Sequence, residues 1–267
     1  MGVVTGAFAD TAVIARRNVI KITRVPEVLV FVLLSPIMFV LLFGYVFGDS
    51  IAVPGDDYRE FLMAGIFTQT VMFGSTFTGA GIAEDMQKGI ISRFRSLPMA
   101  RIALLGGRTA SDIIYNALSI TIMSLTGFLV GWQIRSTVHE AALGFVLLLL
   151  FSYAFSWVMA LVALRVPSVE VVNNASFLVI FPLSFVANTF VPAQNLPGPL
   201  QAFAEWNPVS GVTQAARELF GNIPPGTPEP GAWSLQHPVL YTLIWIVIIV
   251  GVFAPLSVRR YNRMGSR

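Results

Sequence analysis

Charged side chains are concentrated in one short stretch, residues 84–98, of a chain that is otherwise mostly apolar. Within it, Met86, Ile90, Phe94 and Leu97 are spaced at i, i+4, i+8 and i+11, so they share one face of a helix. Such a helix is too short and too charged to cross a bilayer. We expect this helix to bind another surface, because its apolar face can enter the membrane interface or a groove on a partner protein. A solvated loop between two membrane spans is the alternative.

Two residues limit this helix. Pro98 ends it, and Gly89 lowers its intrinsic stability by about 1 kcal/mol relative to alanine. A partner that approaches the backbone closely would account for the glycine. We therefore interpret residues 84–98 as a docking helix.

Sequence patterns typical of catalysis or of metal and phosphate binding are absent. His139 and His237 are isolated, and neither an H-E-x-x-H sequence nor an acidic cluster indicates a metal site. No G-x-x-x-x-G-K-[ST] sequence is present, so the chain has no phosphate-binding loop of this kind. We predict no catalytic, metal-binding or cofactor-binding residue, and no enzymatic activity of the chain alone.

Asp112 is an acidic residue at the start of the third predicted membrane span. An ionisable residue within a span is by default a functional hypothesis. Arg108 precedes it at i, i+4 and offers a local partner close to the inner interface. The sequence therefore favours a structural ion pair between the two.

The composition indicates what kind of secondary structure carries these residues. The chain is 55% hydrophobic and 12% charged, about half the share of charge in a soluble domain, and its mean hydropathy is +0.73. An all-α integral membrane protein is predicted, because helices satisfy backbone hydrogen bonds within lipid. The basic residues flank the predicted spans rather than forming one soluble face, which argues against nucleic-acid binding.

Six charge-free stretches are each long enough for a transmembrane helix of roughly 20 residues. They cover residues 28–48, 61–83, 113–134, 141–164, 171–191 and 238–258. The third helix is expected to begin earlier, near Gly107. The chain, 1–267, is predicted to be a single transmembrane domain.

An amphipathic interfacial helix is predicted before the first span, over residues 7–24. Its basic residues are attracted to the anionic inner leaflet. The expected apolar stripe consists of Phe8, Ala12, Ala15, Val19 and Ile22. A frayed basic tail is the alternative.

The distribution of lysine and arginine predicts the orientation. Fourteen of the seventeen basic residues fall on the side of the termini and three on the other, so both termini are expected in the cytoplasm. An aromatic belt is expected at the outer boundary, formed by Tyr45, Trp132, Trp233 and Tyr241.

The longest segment between spans, residues 192–237, is therefore predicted to lie outside. Its first half has apolar residues at helical spacing and predicts two short helices on or in the outer leaflet. Ser210 is the expected N-cap of the second. The proline-rich residues 224–231 are expected to be rigid and exposed.

Polar side chains within the second and fifth predicted spans recur on common helical faces. Gln69 shares a face with Thr76, and Ser184 shares one with Asn188. Such groups join helices, at about 0.6 kcal/mol each, or line a path for an amphipathic solute. The sequence leaves both interpretations open.

Several motifs spread over nearly the whole chain together resemble the ABC-2 type transporter permeases, most closely the daunorubicin-resistance subfamily of drug-efflux membrane subunits. They are residues 61–66 (FLMAGI), 84–90 (EDMQKGI), 93–98 (RFRSLP), 107–108 (GR), 181–185 (FPLSF), 188–192 (NTFVP), 207–209 (NPV), 217–221 (RELFG) and 259–261 (RRY). Ala64 departs from the pattern, because the family often has proline before the glycine.

The resemblance implies that residues 84–98 form a coupling helix. This helix would sit in a cleft of a separately encoded ATPase subunit, which binds ATP and Mg²⁺, and would transmit ATP-driven closure to the spans. The residues implied in this contact are Glu84, Asp85, Met86, Lys88, Gly89, Ile90, Arg93, Phe94 and Leu97. Glu84 and Asp85 would lie at the positive, N-terminal end of the helix dipole.

The resemblance further implies two permease subunits, identical or closely related, in a bacterial plasma membrane. The substrate path would run between them, lined by the first, second and fifth spans, with the short outer helices as a gate. Candidate path residues are Gln69, Phe73, Thr76, Phe177, Ser184 and Asn188. The implied function is ATP-driven export of a hydrophobic or amphipathic drug-like compound or lipid, as in multidrug resistance.

Two alternatives differ from drug or lipid export. Export of a lipid-linked glycan is disfavoured, because no aromatic track for sugar stacking is obvious in the sequence. A membrane anchor or immunity component would bind a partner without moving a solute. ATPase association and solute-stimulated turnover discriminate between these functions.

Overall fold

The computed structural model describes residues 10–18, 20, 34, 37–43, 58–91, 103–166, 168–223 and 229–264. Most of the predicted first span, Tyr45, residues 92–98 and residues 224–228 lie outside these ranges. The described residues form helices, turns and loops without a strand, in agreement with the predicted all-α class.

Nine α-helices follow one another from Tyr58 onward in this part of the chain. They are α1 (Tyr58–Gly74), α2 (Thr76–Gln87), α3 (Ala103–Val130), α4 (Val138–Ala163), α5 (Val169–Phe185), α6 (Gly198–Trp206), α7 (Pro208–Phe220), α8 (Trp233–Gln236) and α9 (Pro238–Arg263). A 3₁₀ turn, Ala193–Asn195, precedes α6. Residues 10–18 are also helical.

Three of the described helices, α3, α4 and α9, are long and apolar enough to cross a membrane by length and composition. The apolar helix α5 is shorter, with 17 residues. It ends at Phe185 rather than at residue 191, three residues after Pro182. The prediction of six spans stays a prediction.

The predicted second span is divided into α1 and α2 at Ser75. The Ser75 hydroxyl and backbone N–H both turn back to the carbonyl oxygen of Met72, and the N–H also reaches that of Val71. The pair Gly74-Ser75 is of the kind at which helices break. The predicted second span therefore consists of two separate helical segments, α1 before Ser75 and α2 after it.

Helix α4 lies at the centre of the bundle, with α2, α3, α7 and α9 packed around it. It begins with a capping box, in which Thr137 and Glu140 exchange hydrogen bonds. The backbone N–H and the hydroxyl of Thr137 hold the pKa of Glu140 below its ordinary value. Small and aromatic residues are buried along its length, which allows neighbours on several sides.

The two ends of the bundle differ in what holds them together. The α7 end, defined by Tyr58, Trp132 and Arg217, contains an aromatic cluster in which Trp132 packs edge-on against Phe67 and Phe220. Trp132 is 1% exposed and donates to the side-chain oxygen of Asn222 at 2.8 Å. Its predicted place in an interfacial belt is therefore wrong, because the indole is enclosed by protein. The opposite end, defined by Ile14, Asp85 and Arg108, is called the Asp85 end.

Candidate functional site

A cavity of about 450 Å³ opens between α1, α2, α3, α5 and the described part of the predicted first span. Phenylalanines make up most of one side, and uncharged polar residues lie on the other. The lining residues are Phe39, Ile66, Gln69, Thr70, Phe73, Gly74, Thr76, Phe77, Tyr115, Ser119, Phe177, Phe181 and Phe185. A volume of this size is typical of sites for drug-sized molecules.

The phenylalanine side of the cavity is a continuous row of rings. Phe177, Phe181 and Phe185 follow each other at i, i+4 along α5, with ring centroids 5.1 and 4.1 Å apart. Phe73 on α1 extends the row beyond Phe177, at 5.9 Å. The spans thus contain a row of aromatic rings, three from one helix and one from a neighbouring helix, which was not noted from the sequence; whether it binds a sugar stays open.

The structure places the six candidate path residues in two groups. Gln69, Phe73, Thr76 and Phe177 line the cavity. Ser184 and Asn188 lie away from it. Ser184 donates to the Phe181 carbonyl oxygen, and Asn188 contacts α7 by donating from its backbone N–H to Ser210 at 2.8 Å and from its amide to Gln214 at 3.1 Å. Asn188 therefore joins the turn after α5 to α7, whereas Ser184 makes its hydrogen bond within its own helix.

The cavity residues that sequence reasoning missed include Tyr115 and Ser119 of α3. Both are polar and stand at i, i+4 in an otherwise apolar helix. That spacing is the same signal that was recognised for Ser184 and Asn188, and it identifies a shared helical face.

The glycines of the predicted second span permit close packing of helices. An added Cβ at Gly74 would collide with the Asn116 amide, and one at Gly81 with the Arg108 guanidinium. At Gly79 it would come within 2.9 Å of Val172. The absence of side chains thus lets α3 and α5 approach α2.

A network of charged residues holds the Asp85 end. Asp85 is 2% exposed, and its carboxylate accepts from Arg17 at 3.2 Å and from Arg108 at 3.4 Å. These contacts connect the N-terminal helical segment, α2 and α3. Asp85 thus holds these three segments together inside the protein, and its side chain is not presented to a partner protein.

The N-terminal segment packs on α3 through residues outside the predicted apolar stripe. Ile14 is buried against Gly107, and the Asn18 amide donates to Ser111 at 3.5 Å, whereas Ala12 of the stripe is exposed. The glycine at the start of α3 allows this close approach. The placement of the stripe on the inner leaflet stays a prediction, and Phe8, Val19 and Ile22 lie outside the residues whose side chains are described.

The predicted ion pair between Arg108 and Asp112 is also wrong. Arg108 reaches Asp85 on α2, while Asp112 accepts from the Ser156 hydroxyl at 3.4 Å and from the backbone N–H of Thr78. Thr78 lies in the first turn of α2, where a carboxylate interacts favourably with the positive end of the helix dipole. Asp112, which belongs to α3, thus caps the N-terminal end of α2.

The described part of the stretch 84–98 differs from the predicted single helix. Residues 84–87 are the last turn of α2, so Glu84 and Asp85 lie at a C-terminal rather than an N-terminal helix end. Lys88 and Gly89 form a turn, and Gly89 has φ +63°, a left-handed conformation that ends many helices. This backbone requirement accounts for the glycine without a partner. Residues 90 and 91 are helical again.

The residues implied in coupling occupy different positions in this turn. Lys88 is exposed and pairs with Glu84 at 2.6 Å, whereas Met86 and Ile90 are partly buried. Arg93, Phe94 and Leu97 lie outside the described residues. The turn at Lys88 and Gly89 is therefore the exposed part of this segment that the structure describes.

Both short helices predicted between the fifth and sixth spans are present, as α6 and α7. Asn207, not Ser210, caps α7 by accepting from the N–H of Val209, because Pro208 occupies the first helical position. Ser210 instead accepts from Asn188. Most of α7 is buried within the bundle, whereas α6 keeps apolar residues such as Trp206 exposed.

Arg217 fixes α7 in the bundle. This buried side chain donates to the carbonyl oxygens of Phe61, at 3.0 Å, and Thr189, at 3.1 Å. Its guanidinium also lies 3.5 Å from the centroid of the Phe61 ring. One arginine thus links α7 to the start of α1 and to the turn after α5.

Comparison with known proteins agrees with the motifs. Residues 10–220 match the family model described as ABC-2 type transporter. The chain belongs to the ABC-2 type transporter family. The resemblance predicted from the motifs is thereby confirmed, and the chain is a membrane permease subunit of this family.

Individual relatives of this permease are named for drug resistance or transport. It is 30% identical to the daunorubicin resistance ABC transporter permease protein DrrB1 of Streptomyces coeruleorubidus, over 94% of this chain and 85% of that protein. It is 23% identical to the probable doxorubicin resistance ABC transporter permease protein DrrC of Mycobacterium tuberculosis, over 84% and 78%. It is also 23% identical to the putative transport permease ycf38 of Cyanophora paradoxa, over 79% and 73%.

Proposed function

We propose that this permease is the membrane-spanning subunit of a bacterial ABC exporter that moves a hydrophobic or amphipathic compound outward. The energy comes from ATP hydrolysis in a separate ATPase subunit, and both termini lie in the cytoplasm. The observation that carries the proposal is the cavity between α1, α2, α3 and α5, which has the size and apolar lining of a site for a drug-sized molecule. Two relatives named for daunorubicin and doxorubicin resistance support the substrate class.

The exposed aromatic face of α5 supports a second permease subunit. Phe177 is 55% exposed, and Phe181 and Phe185 are each more than one third exposed, although all three line the cavity. A second copy packed on this face would close the cavity and place it between two subunits. The substrate path would then run along the subunit interface.

Helix α2 supplies a route from ATP hydrolysis to the cavity. Its first residues, Thr76 and Phe77, line the cavity, and its last turn leads into the exposed turn at Lys88 and Gly89. Twelve helical residues span about 18 Å. A displacement of the turn by an ATPase would therefore reach the cavity through one short helix, while the break at Ser75 lets α1 remain in place.

A lipid-linked glycan is the second candidate cargo. The phenylalanine row provides an aromatic surface that the sequence did not reveal. Apolar rings are suited to sugar faces as well as to flat drugs, so cargo competition must separate the two. A non-transporting anchor would show no solute-stimulated turnover.

The first experiment is purification of the tagged protein from its native membrane in mild detergent, followed by an ATPase assay. A stoichiometric ATPase that is lost when residues 86–91 are replaced by a Gly/Ser linker is the expected result. A chain that purifies alone, even after crosslinking, would contradict the exporter and favour the anchor or immunity function.

The cavity is tested by Phe177→Ala with Leu178→Ala as the matched control. Leu178 is the next residue of α5 and is 75% exposed, but it does not line the cavity. We expect the Phe177 variant to lose cargo-stimulated ATPase activity and export in proteoliposomes while the ATPase remains bound. Equal activity of the two variants would show that the cavity is not on the path.

A further inference from the structure

The cavity has one wall of hydrogen-bonding groups without partners in the protein. Gln69 on α1 and Tyr115 and Ser119 on α3 are 6%, 6% and 3% exposed. Among the described residues, none of these three side chains makes a hydrogen bond to the protein. Buried polar groups in proteins almost always have a partner, so these three must be satisfied by something that enters the cavity.

Other buried polar side chains of the same helices behave differently. Asn116, the neighbour of Tyr115, donates to the Ser152 hydroxyl at 2.7 Å. Ser124, five residues after Ser119, donates to the Ile120 carbonyl oxygen at 2.8 Å. Asn116 and Ser124 thus each donate to a protein acceptor, although the Asn116 side-chain oxygen and the Arg108 Nε of the same helix are buried without a partner. Gln69, Tyr115 and Ser119 differ from these residues because they line the cavity.

No charged residue lines the cavity in the part of the chain that the structure describes. Asp112 lies one turn from Tyr115, but its carboxylate is occupied by Ser156 and Thr78 and does not line the cavity. An ionised ligand group would therefore lose its hydration without meeting an opposite charge, which is unfavourable.

The phenylalanine wall is not arranged as a cage for a cation. Phe177, Phe181 and Phe185 follow one another in a single row with interplanar angles of 23° and 24°, so they do not surround a common point. Aromatic cages that bind quaternary ammonium groups place several ring faces around the cation. The wall instead offers an extended apolar surface.

We infer that the cavity recognises an uncharged amphiphile. An apolar body lies against the phenylalanine wall, and hydroxyl, carbonyl or amide groups along one edge pair with Gln69, Tyr115 and Ser119. The amide of Gln69 both donates and accepts, as do the two hydroxyls, so the wall matches oxygen and nitrogen functions of either kind. This inference rests on the proposed function, because it assigns the cargo class of the same cavity.

The test is the binding of three fluorescent probes to the purified full-length permease in detergent. The probes share one flat ring system: 1-pyrenemethanol is uncharged with a hydroxyl, pyrene has no hydrogen-bonding group, and (1-pyrenylmethyl)trimethylammonium is a cation. We expect the alcohol to bind roughly three- to tenfold more tightly than pyrene, which corresponds to one net hydrogen bond. The cation is expected to bind most weakly.

Variants of nearly the same shape test whether Gln69, Tyr115 and Ser119 cause the preference for the alcohol over pyrene. The triple change Gln69→Met, Tyr115→Phe and Ser119→Ala keeps the cavity shape and should reduce the alcohol-to-pyrene ratio to about one, with pyrene affinity retained. Ser124→Ala, on the same helix but outside the cavity, is the control and should leave the ratio unchanged. Detergent takes up pyrene more strongly than the alcohol, so each affinity is calculated from the free probe concentration measured with empty micelles. Any remaining difference in partition is common to all variants and cancels when their ratios are compared.

Each other outcome overturns the inference. A triple variant that keeps the preference would show that the polar wall does not recognise the ligand, and a cation that binds best would show recognition by ring faces. A wild-type ratio of one would mean that water satisfies the three groups, and no binding of any probe would reject the cavity as a ligand site. None of these results depends on an ATPase, so a failed ATPase association is a separate outcome that concerns the proposed function.

Discussion

The two ends of this bundle are held by different kinds of polar contact. At the α7 end, Arg217 donates to two backbone carbonyl oxygens and lies over the Phe61 ring. At the Asp85 end, one carboxylate is shared by Arg17 and Arg108, which belong to two separate segments. Backbone acceptors are fixed by the helices that carry them, whereas pairs of side chains can change partners.

The difference indicates which end is built to move. The α7 end also contains the bond from Trp132 to Asn222 at 2.8 Å, the bond from Tyr58 to the Phe190 carbonyl oxygen and the ion pair between Arg135 and Glu60 at 2.7 Å, so several independent contacts hold its elements. At the Asp85 end, the polar contacts described between the N-terminal segment, α2 and α3 are longer, at 3.2 to 3.5 Å, and most of them share the Asp85 carboxylate. We therefore expect the α7 end to act as the rigid frame and α2 as the moving part.

The largest effect is expected from Arg217→Met. The substitution keeps an apolar stem but removes two hydrogen bonds from a charged donor, to the carbonyl oxygens of Phe61 and Thr189, at about 1–3 kcal/mol each. Thermal unfolding in detergent and the yield of monodisperse protein measure the loss. The exposed Arg165, changed to Met, is the control and should unfold near the wild-type temperature. Similar unfolding of both variants would contradict a rigid α7 end.

A smaller effect is expected from Asp85→Asn. The amide has nearly the same shape but no charge, so Arg108 remains buried without its counter-ion, and we expect a loss of about 1–3 kcal/mol. The N-terminal segment should also detach, which is measured as faster tryptic cleavage at Arg16 and Arg17. The control Arg17→Gln removes the more exposed partner and should cost at most about 1 kcal/mol. Equal stability of Asp85→Asn and wild type would show that the carboxylate does not hold this end.

Long apolar elements of this fold could be predicted from sequence. Helix α4 covers Val138–Ala163, close to the predicted 141–164, because its polar capping residues and its uninterrupted apolar run define it locally. Helices α6 and α7 were recognisable from apolar spacing for the same reason. The four cavity residues on α1, α2 and α5 were identified because their helical faces could be read from spacing.

What could not be predicted depends on partners distant in the chain. Local spacing offered Asp112 as the partner of Arg108, but the fold brings Asp85 to it across 23 residues. Asp112 then becomes the cap of α2, which in turn stabilises the break at Ser75. The phenylalanine row likewise combines α1 with α5. In each case a contact between residues distant in the sequence decides the arrangement, and spacing along one helix does not predict it.

The smallest structural effect, and the sharpest test of α2 as the moving part, is expected from Glu84→Ala. Glu84 pairs with Lys88 on the exposed surface of the last turn, and such i, i+4 pairs contribute about 0.3–0.5 kcal/mol. Thermal unfolding should therefore hardly change. If the turn transmits the motion of an ATPase, however, the variant should hydrolyse ATP with little export. Both quantities are measured in proteoliposomes that contain the complex.

Glu229→Ala provides the matched control for this separation of stability from coupling. It removes the same charge from an exposed position beyond α7, remote in the chain from α2, so it should leave the ratio of transport to hydrolysis unchanged. A Glu84 variant that exports normally would contradict the coupling role of the turn. A variant that unfolds at a much lower temperature would show instead that the end of α2 is held as rigidly as the α7 end, and the contrast between the two ends would then fail. Loss of export at unchanged stability would place the moving part at the Asp85 end of the bundle.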